Sequence, residues 1–259
     1  MDYFEKLDKN PYEDLKWNVP EQKMGTVNVI GGDAQHFRAE VKVAEFLSAE
    51  FPLREVGLVL PDSLKGKLPE LPNFRFLPAT ESGSFADSEE LKNIFAVADA
   101  NLVLGDLSRN SVTGKAVADA VMMTEKMTML TRDSVDLLVE GQSERWLMNE
   151  NVVVMASMPQ LVKILKAVYY PKMLLMSQSL VQVAEVLHKF TLSYPVRVVT
   201  LHSGQILVAC NGVVKAIDMA VSGYSPIMIW GGELAAKIVA MNLYNPGDFV
   251  GATCAAVFD

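Results

Sequence analysis

The sequence predicts an α/β protein, with helices on both sides of a mostly parallel central sheet in a three-layer α/β/α arrangement. Three observations point there. Short apolar runs of strand type alternate with helix-patterned segments through most of the chain. The first run, Thr26-Val27-Asn28-Val29-Ile30, passes through Gly31-Gly32-Asp33 straight into an amphipathic segment, which is how a parallel α/β unit opens. Late in the chain the alternation gives way to Asn211-Gly212 between two apolar runs, a strong hairpin signal.

Taken in order, residues 1–22 form a polar arm carrying Tyr3, Phe4, Tyr12 and Trp17. These aromatics need a surface to cover, so the arm reads as a short packed helix or as a contact with a second subunit. Residues 23–259 read as one domain, with no internal repeat and no compositional break. After the first strand, residues 34–50 place Phe37, Val41, Ala44, Phe46 and Leu47 on one helical side. Strands follow at 56–60 and 74–77, each ended by a proline, and the stretch between them is rich in proline and lysine and reads as loop. A helix at 89–98 leads to a strand at 101–104, whose exit is Gly105-Asp106-Leu107-Ser108-Arg109-Asn110.

A helix at 113–124, a strand at 127–130, a strand at 151–155 and helices at 157–169 and 178–190 continue the alternation. Strands at 196–200, 205–210 and 213–217 precede a loop from Ser222, then a helix from Glu233 and a short final helix after Gly247-Asp248. In open parallel sheets ligands sit beyond the carboxyl ends of the strands. Gly31 to Asp33 and Gly105 to Asn110 are two such exits, which makes them candidates for one shared crevice. Gly31-Gly32-Asp33 is neither a dinucleotide fingerprint nor a phosphate-binding P-loop, because the further glycines and the lysine are missing.

Composition narrows the function classes. Of 259 residues, 50% are hydrophobic and 21% charged, enough apolar material for a sizeable core. The net charge of −8 disfavours a binder of nucleic acid or of an anionic membrane, though not a local basic pocket for one phosphate. Cys210 and Cys254 lie among apolar residues and read as free buried thiols, consistent with the cytoplasm. His36, His188 and His202 lack the spacing of a zinc site, so no metal site is expected from the histidines. The polar, acidic start of the chain is no signal peptide.

The stretch Ser222 to Met241 carries the sharpest chemical signal. Gly231-Gly232 just ahead of a helix lets backbone N–H groups crowd an anion, where the helix dipole adds partial positive charge. Glu233 is then either a general base or an ordinary acidic residue of a first helical turn. Asp133, ahead of Leu137-Leu138, either caps a short helix or contacts a ligand. His202, at a strand end, is either a phosphate donor or a surface histidine.

The order of elements and several loops resemble the ADP- or ATP-dependent NAD(P)H-hydrate dehydratases of the ribokinase-like superfamily. Those proteins open with Val-Ile-Gly-Gly-Ser, and Val29-Ile30-Gly31-Gly32-Asp33 stands in that place. Their Gly-Pro-Gly-Leu-Gly loop corresponds to Gly105-Asp106-Leu107-Ser108-Arg109, and their Asp-Ala-Asp-Ala-Leu to Thr131-Arg132-Asp133-Ser134-Val135. Their Thr-Pro-His-Pro-Gly-Glu retains only Pro159, and their Leu-Lys-Gly becomes Thr200-Leu201-His202, without the lysine. Their signature Gly-Thr-Gly-Asp falls on Trp230-Gly231-Gly232-Glu233 without gaps, whereas a one-residue gap keeps both glycines and loses the threonine.

The resemblance implies a ribokinase-like fold and ADP or ATP, with Mg²⁺ as a possible companion, bound near Gly204, Gly231 and Gly232. It implies a nucleotide-like substrate near Gly31, Gly32, Asp33, Gly105 and Asp133, with Glu233 in the place of the catalytic aspartate. It also implies a homo-oligomer, a tetramer among the options. The departures fall on several motif positions together, and Glu in place of Asp moves the carboxylate by one methylene. Proton transfer needs heavy atoms within about 2.6–3.2 Å, so that displacement matters. The expectation is therefore a divergent homologue that binds a nucleotide without catalysis. Active dehydration through Glu233 and a small-molecule kinase are the alternatives.

Overall fold

The computed structural model describes residues 2–68, 73–140 and 144–258. Its centre is a ten-stranded sheet in the order β1-β10-β9-β8-β7-β6-β5-β2-β3-β4. The strands are β1 (Phe4–Leu7), β2 (Thr26–Gly31), β3 (Glu55–Pro61), β4 (Phe74–Leu77), β5 (Ala100–Gly105), β6 (Met127–Thr131), β7 (Val152–Met155), β8 (Arg197–His202), β9 (Gln205–Cys210) and β10 (Val213–Asp218). Every neighbouring pair is parallel except β8–β9 and β9–β10, so β9 alone runs against the rest. The lone antiparallel strand follows from the tight turns at Ser203-Gly204 and Asn211-Gly212, where all four residues have positive φ.

Besides three short 3-10 segments, the described residues form ten α-helices. They are α1 (Arg38–Glu50), α2 (Glu89–Val97), α3 (Ser111–Met123), α4 (Asp133–Glu140), α5 (Met158–Ala167), α6 (Leu180–Ser193), α7 (Met219–Ser222), α8 (Pro226–Gly231), α9 (Glu233–Tyr244) and α10 (Phe249–Val257). Side-chain alternation along each strand splits the apolar residues into two cores. Ile30, Val103, Leu130 and Val154 face α2 to α6 on one side. Val29, Leu102, Leu104, Met129 and Val153 face α1, α9 and α10 on the other. The fold is thus three-layered, as the alternation predicts. Among the described residues no helix is long and apolar enough to cross a membrane.

Local signals explain where several helices begin. Ser157 and Ser179 each form a reciprocal capping box, with Gln160 and Gln182 respectively. Asn110 caps α3 and Ser88 caps α2 through their side chains.

Two segments differ from expectation. The N-terminal arm contributes β1, which pairs parallel with β10 from Phe4↔Val214 to Leu7↔Ile217. Tyr3 stacks on His188 of α6 at 4.0 Å between ring centroids, and a 3-10 turn at Glu13–Asn18 follows. The stretch from Ser222, expected as a loop, is mostly helical: Pro226 stands in the first turn of α8 and Ser225 caps it. Pro with a preceding serine is itself a helix-start signal.

Candidate functional site

The sheet reverses its winding between β2 and β5. From β2 the chain proceeds outward through β3 and β4, then returns to β5 on the other side and continues through β6, β7 and β8. This is the switch point at which doubly wound sheets leave a crevice. Here Gly31 lies opposite Gly105 across a register shift, and the Gly32 N–H donates to the Gly105 carbonyl at 2.9 Å. The first two expected exits therefore do meet. A Cβ on Gly31 would lie 2.5 Å from the Gly105 oxygen and 2.7 Å from Glu40 Oε1, so only glycine permits this approach.

The β5 exit turn has an unusual backbone. Asp106, Ser108 and Arg109 all have positive φ, at 56°, 56° and 44°. Such conformations cost on the order of 1–3 kcal/mol each in non-glycine residues and persist only when their surroundings hold them. Asp133 supplies much of that hold. Its Oδ1 accepts the Asp106 N–H at 2.7 Å and its Oδ2 accepts the Leu107 N–H at 3.1 Å. Arg132, also at positive φ, donates from Nη2 to Asp106 Oδ1 at 2.8 Å. A hydroxyl network ties the same turn to the loop after β4: Ser108 Oγ donates to Ser84 at 2.8 Å, and Asn110 Nδ2 to Ser82 at 2.8 Å.

Ionisation in this crevice is uneven. Burial opposes the charge on Asp33, but N–H donation from Gln35 and His36 and the His36 ring outweighs it, so its carboxyl stays below the usual range. Bonding to Asp33 raises the exposed His36 ring in turn. Burial pushes Asp106 up, Arg132 pulls it back and Asp133 adds to the rise. The largest effect falls on Glu40 of α1, fully buried, whose carboxyl is pushed up to about 8, first by burial and then by Asp106. Neither oxygen of Glu40 has a hydrogen-bond partner in another residue, and the buried Nη1 of Arg132 has none. Sequence reading places Glu40 on an amphipathic helix without marking it. A polar residue at the third position of a helix that follows a Gly-Gly turn is the only signal it offers.

The C-terminal candidates meet this crevice from the α1 side. Gly232 is left-handed, at φ 102°, and joins α8 directly to α9. A Cβ there would lie 2.6 Å from Leu104 of β5 and 2.8 Å from Val43 of α1. Gly232 is thus fixed by packing as well as by φ, and α9 begins beside the β5 exit. Glu233 is the first residue of α9, and no side chain caps this helix. Gly231 is the exposed last residue of α8, with open space where a Cβ would stand. Gly204 occupies the β8–β9 turn, three strands from β5, or about 14 Å at ordinary strand spacing. It is therefore set apart from the crevice. His202 is buried and its Nε2 bonds the Gln178 carbonyl at 2.8 Å, which accounts for it structurally.

A metal fits this residue set poorly. Among the described residues no group of three or more His, Cys, Asp and Glu side chains is placed to hold one. Asp33, Asp106 and Asp133 are each engaged by N–H or guanidinium donors. A phosphate fits better, because the start of α9 offers uncapped amides behind two glycines. A cavity of about 830 Å³ lies at the opposite end of the sheet, among Asp119, Met123, Glu125, Arg145 and Glu150. It is remote from the strand exits and has no part in the site built here.

No family model matches the sequence. No curated protein matches it either. Solved structures do match in fold. The hypothetical protein SMU.573 of Streptococcus mutans superposes with a TM-score of 0.67 at 16% identity, over 97% of this chain and 87% of that one. Bacillus subtilis YxkO, a member of the UPF0031 family classed provisionally as a kinase, superposes with a TM-score of 0.61 at 14% identity, over 95% and 85%. At such identities the likeness shows the three-layer α/β/α fold alone.

Proposed function

We propose that this chain is a divergent homologue of the ADP- or ATP-dependent NAD(P)H-hydrate dehydratases that binds a nucleotide and does not catalyse dehydration. The observation that carries the reading is the start of α9. Its amides are uncapped and follow Gly231-Gly232, so they suit a phosphate by N–H donation and helix dipole together. The other amide cluster at this end, in the 105–107 turn, already holds the Asp133 carboxylate. The nucleotide's remaining polar groups then face the crevice formed by Gly31, Gly32, Asp33 and Gly105. The same reading carries a cytoplasmic homo-oligomer.

One observation favours a second reading, active dehydration through Glu233. Its carboxylate is half-buried at that helix start and, among the described residues, makes no ion pair or hydrogen bond. It is thus available to move a proton.

Calorimetric titration with ADP and ATP tests the proposal. Saturable binding is expected, and Gly231→Asp is expected to abolish it by placing a negative charge at the phosphate. That substitution enters open space, so the fold is expected to persist. Absence of heat with either nucleotide would overturn the reading. Conversion of hydrated NADH at an enzymatic rate, lost in Glu233→Gln, would establish the second reading instead.

A further inference from the structure

Glu40 differs from the other carboxyl groups of the crevice. Asp33 accepts from Gln35 and His36, Asp106 pairs with Arg132, and Asp133 holds two backbone amides. Glu40 is fully buried, and neither of its oxygens has a partner in another residue. Its Oε1 faces Gly31 at the switch point, and Gly31 lies against Gly105. The Cβ of Arg132 lies at the other side of Gly105, its Nη2 bonds Asp106, and its Nη1 is buried without a partner. Two side chains packed around one pair of glycines thus carry unanswered buried polar atoms, at the place where an open α/β sheet takes its ligand. Buried polar groups are ordinarily answered, and each exception calls for an explanation such as a bound water or ion or a functional role.

We infer that Glu40, with Nη1 of Arg132, forms a subsite on the floor of the switch-point crevice for an uncharged group that presents both an acceptor and a donor, such as an amide or a urea. Glu40 is then the specificity-determining residue of the crevice, an inference that rests on the ligand-binding reading above. Burial keeps its carboxyl protonated at neutral pH, so it offers an O–H donor beside a carbonyl acceptor. An amide answers both at once, and its oxygen is also open to the Arg132 N–H. A phosphate is the wrong occupant, because its negative charge would be desolvated there and would meet the neighbouring carboxylates of Asp106 and Asp133.

Carboxyl-labelled ¹³C-glutamate NMR on the full chain at pH 6.5 tests this, with acetamide and inorganic phosphate as probes. The Glu40 resonance is identified by its loss in Glu40→Gln. Acetamide is expected to move it saturably and phosphate to leave it in place. Saturation transfer to the acetamide methyl reads binding in the variants. Glu40→Gln, still both donor and acceptor, is expected to bind within about twofold of the parent, and Glu40→Leu to bind about tenfold more weakly. A Glu40 resonance that acetamide leaves in place, or that phosphate moves equally, would overturn the inference. So would equal loss of acetamide binding in both variants. If Glu40→Leu does not fold, the parent titration and Glu40→Gln still decide the matter. ADP calorimetry on the same sample separates the two claims, because the nucleotide reading falls when ADP gives no heat, whereas the subsite falls only with the acetamide result.

Discussion

Asp133 holds the backbone of Asp106, accepting its N–H at 2.7 Å, with the second carboxylate oxygen on Leu107. The carboxylate does for this turn what a bound anion would do elsewhere. Asp133→Ala leaves two amides unanswered beneath three residues at positive φ. A loss of about 2–3 kcal/mol is expected in urea unfolding. Sulfate is expected to restore part of it in the variant and to leave the parent unchanged, read as a shift in Tm.

Gly232 is restricted twice, by its left-handed φ and by Leu104 and Val43. Gly232→Ala is expected to destabilise by about 2–4 kcal/mol, through backbone strain and overpacking together. Gly231→Ala, exposed and in open space, is expected within about 0.5 kcal/mol of the parent. Urea midpoints for the pair check this. Equal effects at both glycines would contradict the packing described at the start of α9.

Glu40 links stability to pH. Burial pushes its folded carboxyl up to about 8 from an ordinary 4.5, so between those values the folded chain holds a proton that the unfolded chain has released. Its contribution therefore falls as pH rises from 4.5 to 8 and levels off above, by a total on the order of 5 kcal/mol. Asp106 and Asp133 raise this titration and Arg132 opposes it. Glu40→Gln removes the titration. The variant is expected to gain stability relative to the parent across that window, measured as urea unfolding at pH 5 and pH 8.5.

The edge strand β1 is held by side chains as well as by its ladder. Tyr3 stacks on His188, His188 Nδ1 bonds the Gly212 carbonyl, and Lys215 pairs with Glu5. Tyr3→Ala is expected to cost about 1 kcal/mol. It should also speed hydrogen exchange at Val214, whose N–H donates to the Tyr3 carbonyl at 2.7 Å. Unchanged exchange at Val214 would mean that the stacking does not hold β1 in place.

Much of the sheet is legible in the sequence, because β2, β3, β5, β6 and β9 are runs buried on both faces and read as continuous apolar stretches. Asn211-Gly212 likewise announces its hairpin. Phe4-Glu5-Lys6-Leu7 does not read as a strand, since Glu5 and Lys6 are exposed and a charged edge strand has no periodic apolar signal. The helices α7 and α8 were hidden by Ser-Gly-Tyr-Ser-Pro, which resembles a loop until Ser225 is recognised as the cap of a proline-led helix. The site divides in the same way. Gly31, Gly105 and the strand exits follow from topology, whereas the inward turn of Glu40 depends on two glycines from different strands being in contact. Asp133 illustrates a third case: a capping role was visible from the sequence, but its actual partners are on another strand exit, 26 and 27 residues away.

The pairing of β1 with β10 joins residues 210 positions apart, as the Glu5–Lys215 contact shows. During synthesis, Phe4 to Leu7 leave the ribosome long before Val214 to Ile217 exist. The strand β1 must wait, without its partner β10, while the parallel core assembles from β2 onward. Its place in the sheet opens only when the C-terminal hairpin has formed. Closure of this edge is therefore a late, long-range event in folding, and a nascent chain halted before residue 213 would carry residues 4–7 with no strand to join.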